Sequence, residues 1–232
     1  MDIFNKLMNI HNHTCWSDGD NTPEEIIQNS LTLGMDVVGI SDHLDDLKGY
    51  KLSSSNTHRY IKEVKDLSRK YPIEVFCGVE VGIKYLLKAN QSIYESCSQL
   101  DFVLIEDIEF LSDSFELNAL DNIISLFSCP VGLAHTNLIW LSQKYSALGG
   151  LRYVIDFVKR NNLFWEINAS NVYGFFDNII YRQFKSEDVQ LLSELRNASI
   201  KVAVGTDTHN LDALEKGRLF AANEIAREIN QG

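Results

Sequence analysis

Val202-Ala203-Val204-Gly205-Thr206-Asp207-Thr208-His209 joins an apolar run of strand length to an acid and an imidazole spaced two residues apart. On extended backbone, positions two apart face the same way, so both side chains can reach one ion from one rigid element. The other end of the chain repeats the design, with Leu7 to Ile10 leading into His11-Asn12-His13. Further runs lie between. Val37 to Ile40 ends in Ser41-Asp42-His43, and Val75 to Val81 contains Glu80. Phe102 to Ile105 enters Glu106-Asp107-Ile108-Glu109, Pro130 to Ala134 delivers His135, and Leu163 to Ile167 contains Glu166 and ends at Asn168. Seven strands are therefore predicted, five of the six histidines falling just past them.

Helical segments separate these runs. Thr22-Pro23-Glu24-Glu25 reads as N-cap, proline at the first helical position and a capping-box glutamate, opening a helix that Gly34 ends. Ile61, Val64 and Leu67 mark a helix from about Thr57 to Tyr71, another is expected around Leu117 to Phe127, and a long one closes the chain. Alternating strands and helices imply parallel pairing through right-handed crossovers. An α/β barrel in a single domain suits the length of 232 residues. Such a barrel gathers its chemistry at the carboxyl ends of its strands, where these histidines and acids fall.

Composition narrows the function. A formal charge of −11 repels polyanions and disfavours nucleic-acid or anionic-membrane binding. Four scattered cysteines without a CxxC pair suggest neither a zinc knuckle nor a disulfide framework and fit a reducing cytosol. The amino terminus has no long apolar core of a signal peptide, and no stretch of about 18 apolar residues is present. A soluble cytoplasmic protein is expected. Oligomeric state leaves no mark in the sequence.

His11 with His13 and Asp207 with His209 form two pairs that barrel closure would bring together, a metal-site arrangement that core packing alone would not produce. Glu80 sits in the apolar run Cys77-Gly78-Val79-Glu80-Val81, where a lone carboxylate would cost several kcal/mol; a bound cation or a buried ion pair would satisfy it. His43 and His135 share the strand-end context. Asp18 is either a ligand from the first loop or the residue of an Asx turn. Glu166 and Asn168 either coordinate or orient a ligand histidine. His58 opens a helix and is expected on the surface.

HNH at 11–13, T-x-x-S-D-G at 14–19, SDH at 41–43, GVE at 78–80, the strand-end His135, EIN at 166–168 and GTDTH at 205–209 occur in this order. Together they resemble the polymerase and histidinol phosphatase (PHP) family of metal-dependent phosphoesterases over nearly the whole chain. The resemblance implies a distorted seven-stranded (βα) TIM-like barrel across residues 1–232, with two or three zinc, manganese or iron ions hydrolysing phosphate esters. It assigns His11, His13, Glu80 and Asp207 to one ion, bridged by Glu80 to a second held partly by His135. His43 and His209 would hold a third, completed by Asp18 or a neighbour. His209 is also a candidate general acid.

The family usually carries a histidine at the end of the fourth strand, where spacing from Asp101 places Ile108 amid Glu106, Asp107 and Glu109. Either one of these carboxylates replaces the imidazole, favouring a harder ion such as manganese, or the second position is weak or empty. The expected activity is a phosphatase on a small phosphomonoester such as histidinol phosphate or a nucleotide. Alternatives are a catalytically weakened metal-binding regulatory protein and a nucleic-acid 3'-phosphoesterase or exonuclease.

Overall fold

The computed structural model describes residues 3–89, 91–112 and 114–231. Seven parallel strands follow one another around a sheet in sequence order: β1 (Met8–Asn9), β2 (Val37–Ile40), β3 (Glu74–Gly82), β4 (Phe102–Glu106), β5 (Val131–Leu133), β6 (Phe164–Asn168) and β7 (Val202–Gly205). Consecutive pairing is parallel throughout, as with Glu80 opposite Leu104 and Ile167 opposite Val204. The sheet then closes. Ile10 N–H donates to the Val204 carbonyl at 2.9 Å and His13 N–H to that of Thr208 at 2.8 Å, so the first and last strands meet past their regular ladders. The result is the distorted TIM-like barrel, and it places His11 and His13 beside Asp207 and His209.

The helical layer follows local chemistry. At the helix Pro23–Thr32, Thr22 and Glu25 form the reciprocal capping box, and Gly34 leaves the helix at φ +74°. Two helices are shorter than their apolar spacing suggests. Thr57–Ser68 stops where the Ser68 hydroxyl donates to the Lys65 carbonyl at 2.8 Å. The region expected as a helix at 117–127 is a 3-10 turn, Leu117–Leu120, and one helical turn, Asp121–Ile124, after which the Ser125 hydroxyl donates to the Asn122 carbonyl. In both places a serine offers the backbone a competing partner. The longest helix, Lys216–Asn230, packs its Asn223 side chain on both backbone groups of Met8. Among the described residues no helix is long and apolar enough to cross a membrane.

Two-residue alternation sorts β4 and β6 into an apolar outer row and an inner row that runs from a ring to a carboxylate. On β4, Phe102, Leu104 and Glu106 share a face; on β6, Phe164, Glu166 and Asn168 do. Aromatic rings thus lie toward the amino ends and carboxylates toward the carboxyl ends of the same strands.

Candidate metal centre

His11 follows β1 with its side chain fully buried. Its Nδ1 lies 2.9 Å from Glu166 Oε1, which leaves Nε2 to face His13 Nε2 at 3.0 Å, Glu80 Oε2 at 3.2 Å and Asp207 Oδ1 at 3.5 Å. His13 Nε2 stands 3.2 Å from Glu80 Oε2 and 3.0 Å from Asp207 Oδ1. Donor atoms about 2.1 Å from a tetrahedral ion are about 3.4 Å from one another, so these spacings suit one cation at the centre of the four. Without a cation or protons, two imidazole lone pairs and two carboxylates would repel at this range.

Glu80 has a second oxygen to offer. Its Oε1 lies 3.0 Å from His135 Nε2, while Oε2 is also 3.3 Å from His43 Nδ1. Beside them is Glu106, the last residue of β4, its Oε1 3.7 Å from His43 Nδ1. Glu106 therefore occupies the fourth-strand position. Ile108, expected there by spacing from Asp101, lies two residues past the strand, where it opens a 3-10 turn and is buried in the core. Asp107 is at φ +69°, and Glu109 Oε1 accepts from the Asn137 N–H, so of the three acids only Glu106 joins a cluster able to hold an ion, with His43 and Glu80.

A third group assembles on the first loop. Asp18 Oδ1 lies 3.3 Å from His209 Nε2 and 3.5 Å from His13 Nδ1, and its Oδ2 lies 3.7 Å from His43 Nε2. Asp18 is thus committed to imidazoles rather than to its own turn. Asp42 shapes that loop instead, accepting from the N–H and hydroxyl of both Thr14 and Ser17 at 2.7–3.0 Å. Gly19 passes so close to His13 that a Cβ would stand 2.4 Å from its carbonyl oxygen. His209 Nδ1 donates to the Asp207 carbonyl at 3.0 Å, which directs Nε2 to Asp18.

All eight residues expected as ligands converge, and Glu106 joins them. Glu166 and Asn168 serve orientation: Glu166 accepts from the His135 N–H at 2.7 Å besides holding His11, and Asn168 Nδ2 donates to Glu166 at 3.1 Å. His58 is exposed and apart. His135 and Asp207 adopt φ of +30° and +48°, a conformation uncommon for such residues and frequent where function demands a particular aim.

The electrostatics describe a site built for positive charge. Burial alone would lower the His13 pKa, yet Asp207 and Glu80 hold it up at about 9. His11 is likewise raised well above its ordinary value by Glu166 and Glu80 against its burial. Against the opposing effect of burial, the same imidazoles hold Glu80 well below the carboxylate range and Asp207 at about 2. Glu106 goes the other way: burial first, then the charges of Glu80 and Asp107, push it up to about 7. His43, lowered to about 4 mainly by burial, is neutral and ready to coordinate. Protons occupy the charge that a cation would displace.

Sequence reasoning missed two tyrosines and a lysine. The Tyr50 ring stacks on His43 at 5.5 Å and 10°, its hydroxyl donating to Asp18 Oδ2 at 3.4 Å. The Tyr173 ring stacks on His135 at 4.3 Å and 11°, its hydroxyl donating to Asp207 Oδ2 at 2.9 Å. Lys48 lies over Tyr50. All three come from loops whose path no periodicity encodes; only their positions after strand ends could have drawn attention to them.

Comparison with known proteins agrees with this architecture. A solved histidinol phosphate phosphatase from Lactococcus lactis, complexed with zinc, L-histidinol and phosphate, is similar at 18% identity, with 97% of this chain and 94% of that one covered and a TM-score of 0.68. A structure reported for YwqE from Bacillus subtilis and CpsB from Streptococcus pneumoniae, described as metal-dependent tyrosine phosphatases, matches at 16% identity, 97% and 95% coverage and a TM-score of 0.55. No curated protein sequence matches the chain. The PHP domain family model matches residues 9–231, and the chain belongs to the PHP domain family.

Proposed function

We propose that this protein is a metal-dependent phosphatase acting on a small phosphomonoester. The observation that carries the reading is the convergence of imidazole and carboxylate donors from strand ends far apart in sequence, within each cluster no more than 4.8 Å from one another. His11, His13, Glu80 and Asp207 would hold one divalent ion. His43, Glu80 and Glu106 would hold a second, with His135 on the other oxygen of Glu80, and Asp18, His43 and His209, with His13 alongside, a third. The donors are nitrogen and oxygen without thiolate, a set that takes zinc, manganese or iron, and Glu106 in place of an imidazole tilts the second position toward the harder ions.

Bound ions would supply Lewis-acid polarisation of the phosphoryl oxygens and an ionised water near neutral pH. The chain's own groups do the positioning. Glu166 accepts from the Nδ1–H of His11 and so presents Nε2 to the centre. Tyr173 holds Asp207 by one oxygen so that the other faces His11 and His13. Glu80 lies between two groups and can serve both. We assign His209 to ion binding, since Nδ1 donates to the carbonyl of Asp207 and Nε2 is thereby turned toward Asp18 in the cluster with His13 and His43.

Histidinol phosphate and nucleotides are the first candidates, and the cytoplasm is the proposed compartment. The formal charge of −11 argues against a nucleic-acid substrate. Glu106 at the fourth-strand position speaks against an inert regulatory protein. Purified protein loaded with manganese or zinc should release phosphate from members of a panel of phosphorylated metabolites and nucleotides. Stoichiometric metal with no release from any of them would overturn the reading.

A further inference from the structure

The loop after β2 brings a cation to the mouth of the site that none of the clusters uses. The loop is locally determined: Leu47 N–H donates to Asp45 Oδ1 at 2.9 Å, Lys48 N–H to the Asp45 carbonyl at 3.2 Å, and Gly49 turns the chain at φ +74°. Asp46 ties it down by accepting from the N–H and hydroxyl of Ser54 at 2.8 and 2.6 Å. Lys48 and Tyr50 follow one another across that turn. The Lys48 ammonium stands 5.8 Å from the centre of the Tyr50 ring, which in turn covers His43.

Among the described residues, the carboxylates of Asp18, Glu80, Glu106 and Asp207 form ion pairs with histidines only. Lys48 is within electrostatic reach of Glu106, Asp45, Asp18 and His43, and among the described residues no ion pair joins it to any of them. Two of the arginines are engaged elsewhere. Arg182 pairs with Glu228 at 2.6 Å, and Arg218 holds Asp177 and the carbonyls of Ala169 and Ser170. Lys48 is thus a charge held beside the centre on an aromatic strut and not neutralised by it. With cations in the clusters, the partner best suited to that ammonium is an incoming anion, whose oxygens accept from its three donors.

We propose that Lys48, backed by Tyr50, is the residue that seats the phosphoryl group of the substrate, binding a non-bridging oxygen on the side of β2. The proposal rests on the phosphatase reading. Lysine, a flexible point charge with three donors, suits a phosphate whose charge is shared over several non-bridging oxygens already in the bound ester.

The test compares metal-loaded wild type, Lys48→Met and Lys48→Arg with p-nitrophenyl phosphate as substrate and inorganic phosphate as competitive inhibitor, with metal content measured in parallel. Lys48→Met should raise KM and the phosphate inhibition constant about tenfold, with kcat changed less than about threefold and metal content equal to wild type. Lys48→Arg should restore both constants to within about threefold of wild type. An unchanged phosphate inhibition constant in Lys48→Met, with an active wild type, overturns the assignment of Lys48 alone. A metal-loaded wild type that neither hydrolyses ester nor binds phosphate by calorimetry removes the phosphatase reading beneath it.

Discussion

At the amino ends of its strands the barrel is filled by rings, and at the carboxyl ends by ionisable groups. Toward the bottom, Phe102 of β4 lies over Gly78 of β3 and Phe164 of β6 over Gly132 of β5, each glycine leaving the space the ring takes. A cavity of about 460 Å³ opens beneath them, lined by Ile3, Phe4, Phe102 and Phe164 with Lys159 and Lys201 at its edge. At the top, Gly205 of β7 leaves its space to Glu166 and His11 instead. The same device, a missing Cβ opposite a large inner side chain, serves packing at one end and ligand aim at the other. Bottom contacts are apolar and stabilise by burial, whereas the top gathers charges that a cation, or protons in its place, must make compatible.

Substitutions at the two ends should therefore fail differently. The largest effect is expected for Asp207→Ala, which removes a carboxylate oxygen facing both His11 and His13; phosphate release should fall about a thousandfold, with metal lost on elemental analysis. Next comes Gly205→Ala, whose Cβ would stand 1.9 Å from Glu166 Oε1 and 2.3 Å from His11 Cβ. Displacing the group that orients His11 should weaken metal binding about 10- to 100-fold by competition with a chelating dye. Gly132→Ala makes the identical chemical change, its Cβ 2.1 Å from Phe164 Cε2, but at the other end. It should cost about 1–3 kcal/mol in denaturant unfolding and leave metal stoichiometry intact. Equal metal loss in the two glycine variants would erase the division between the ends.

What could be read from the sequence divides along the same line. Strands were legible because parallel strands buried on both faces are near-continuous apolar runs, and Val37–Ile40 and Val202–Gly205 match their predicted bounds. Most of the donors were legible because they follow or end such runs, although His135 and Asp207 owe their aim to positive φ and Asp18 to its loop. Ile108 shows the limit: counting from Asp101 overshoots a strand that ends at Glu106, and nothing in Glu106-Asp107-Ile108-Glu109 marks which acid turns inward. Tyr50, Tyr173 and Lys48 lie further out on loops, where backbone path decides what meets what. Gly205 stands within a motif, yet its need for close approach is visible only once Glu166 stands against it.

Two smaller effects probe the polar end itself. Tyr173→Phe keeps the ring on His135 but removes the hydroxyl that fixes Asp207, and metal affinity should fall about tenfold with folding stability nearly unchanged. Glu106→Gln tests the charge at the fourth strand through pH. Burial and the neighbouring acids raise Glu106 from 4.5 to about 7, so the folded, metal-free protein holds this proton more tightly than the unfolded chain does. Below about pH 4.5 both states are protonated and Glu106 imposes no penalty; between 4.5 and 7 the unfolded chain ionises first and stability falls; above 7 the penalty is fully present. In chelator-treated protein the melting temperature of Glu106→Gln, relative to wild type, should therefore climb from pH 4.5 to 7 and then level off. Saturating manganese should reverse the order, because the ionised carboxylate that burdens the empty site is the one the cation takes. A difference independent of pH in the metal-free proteins would mean that Glu106 titrates as a surface acid and does not belong to the centre.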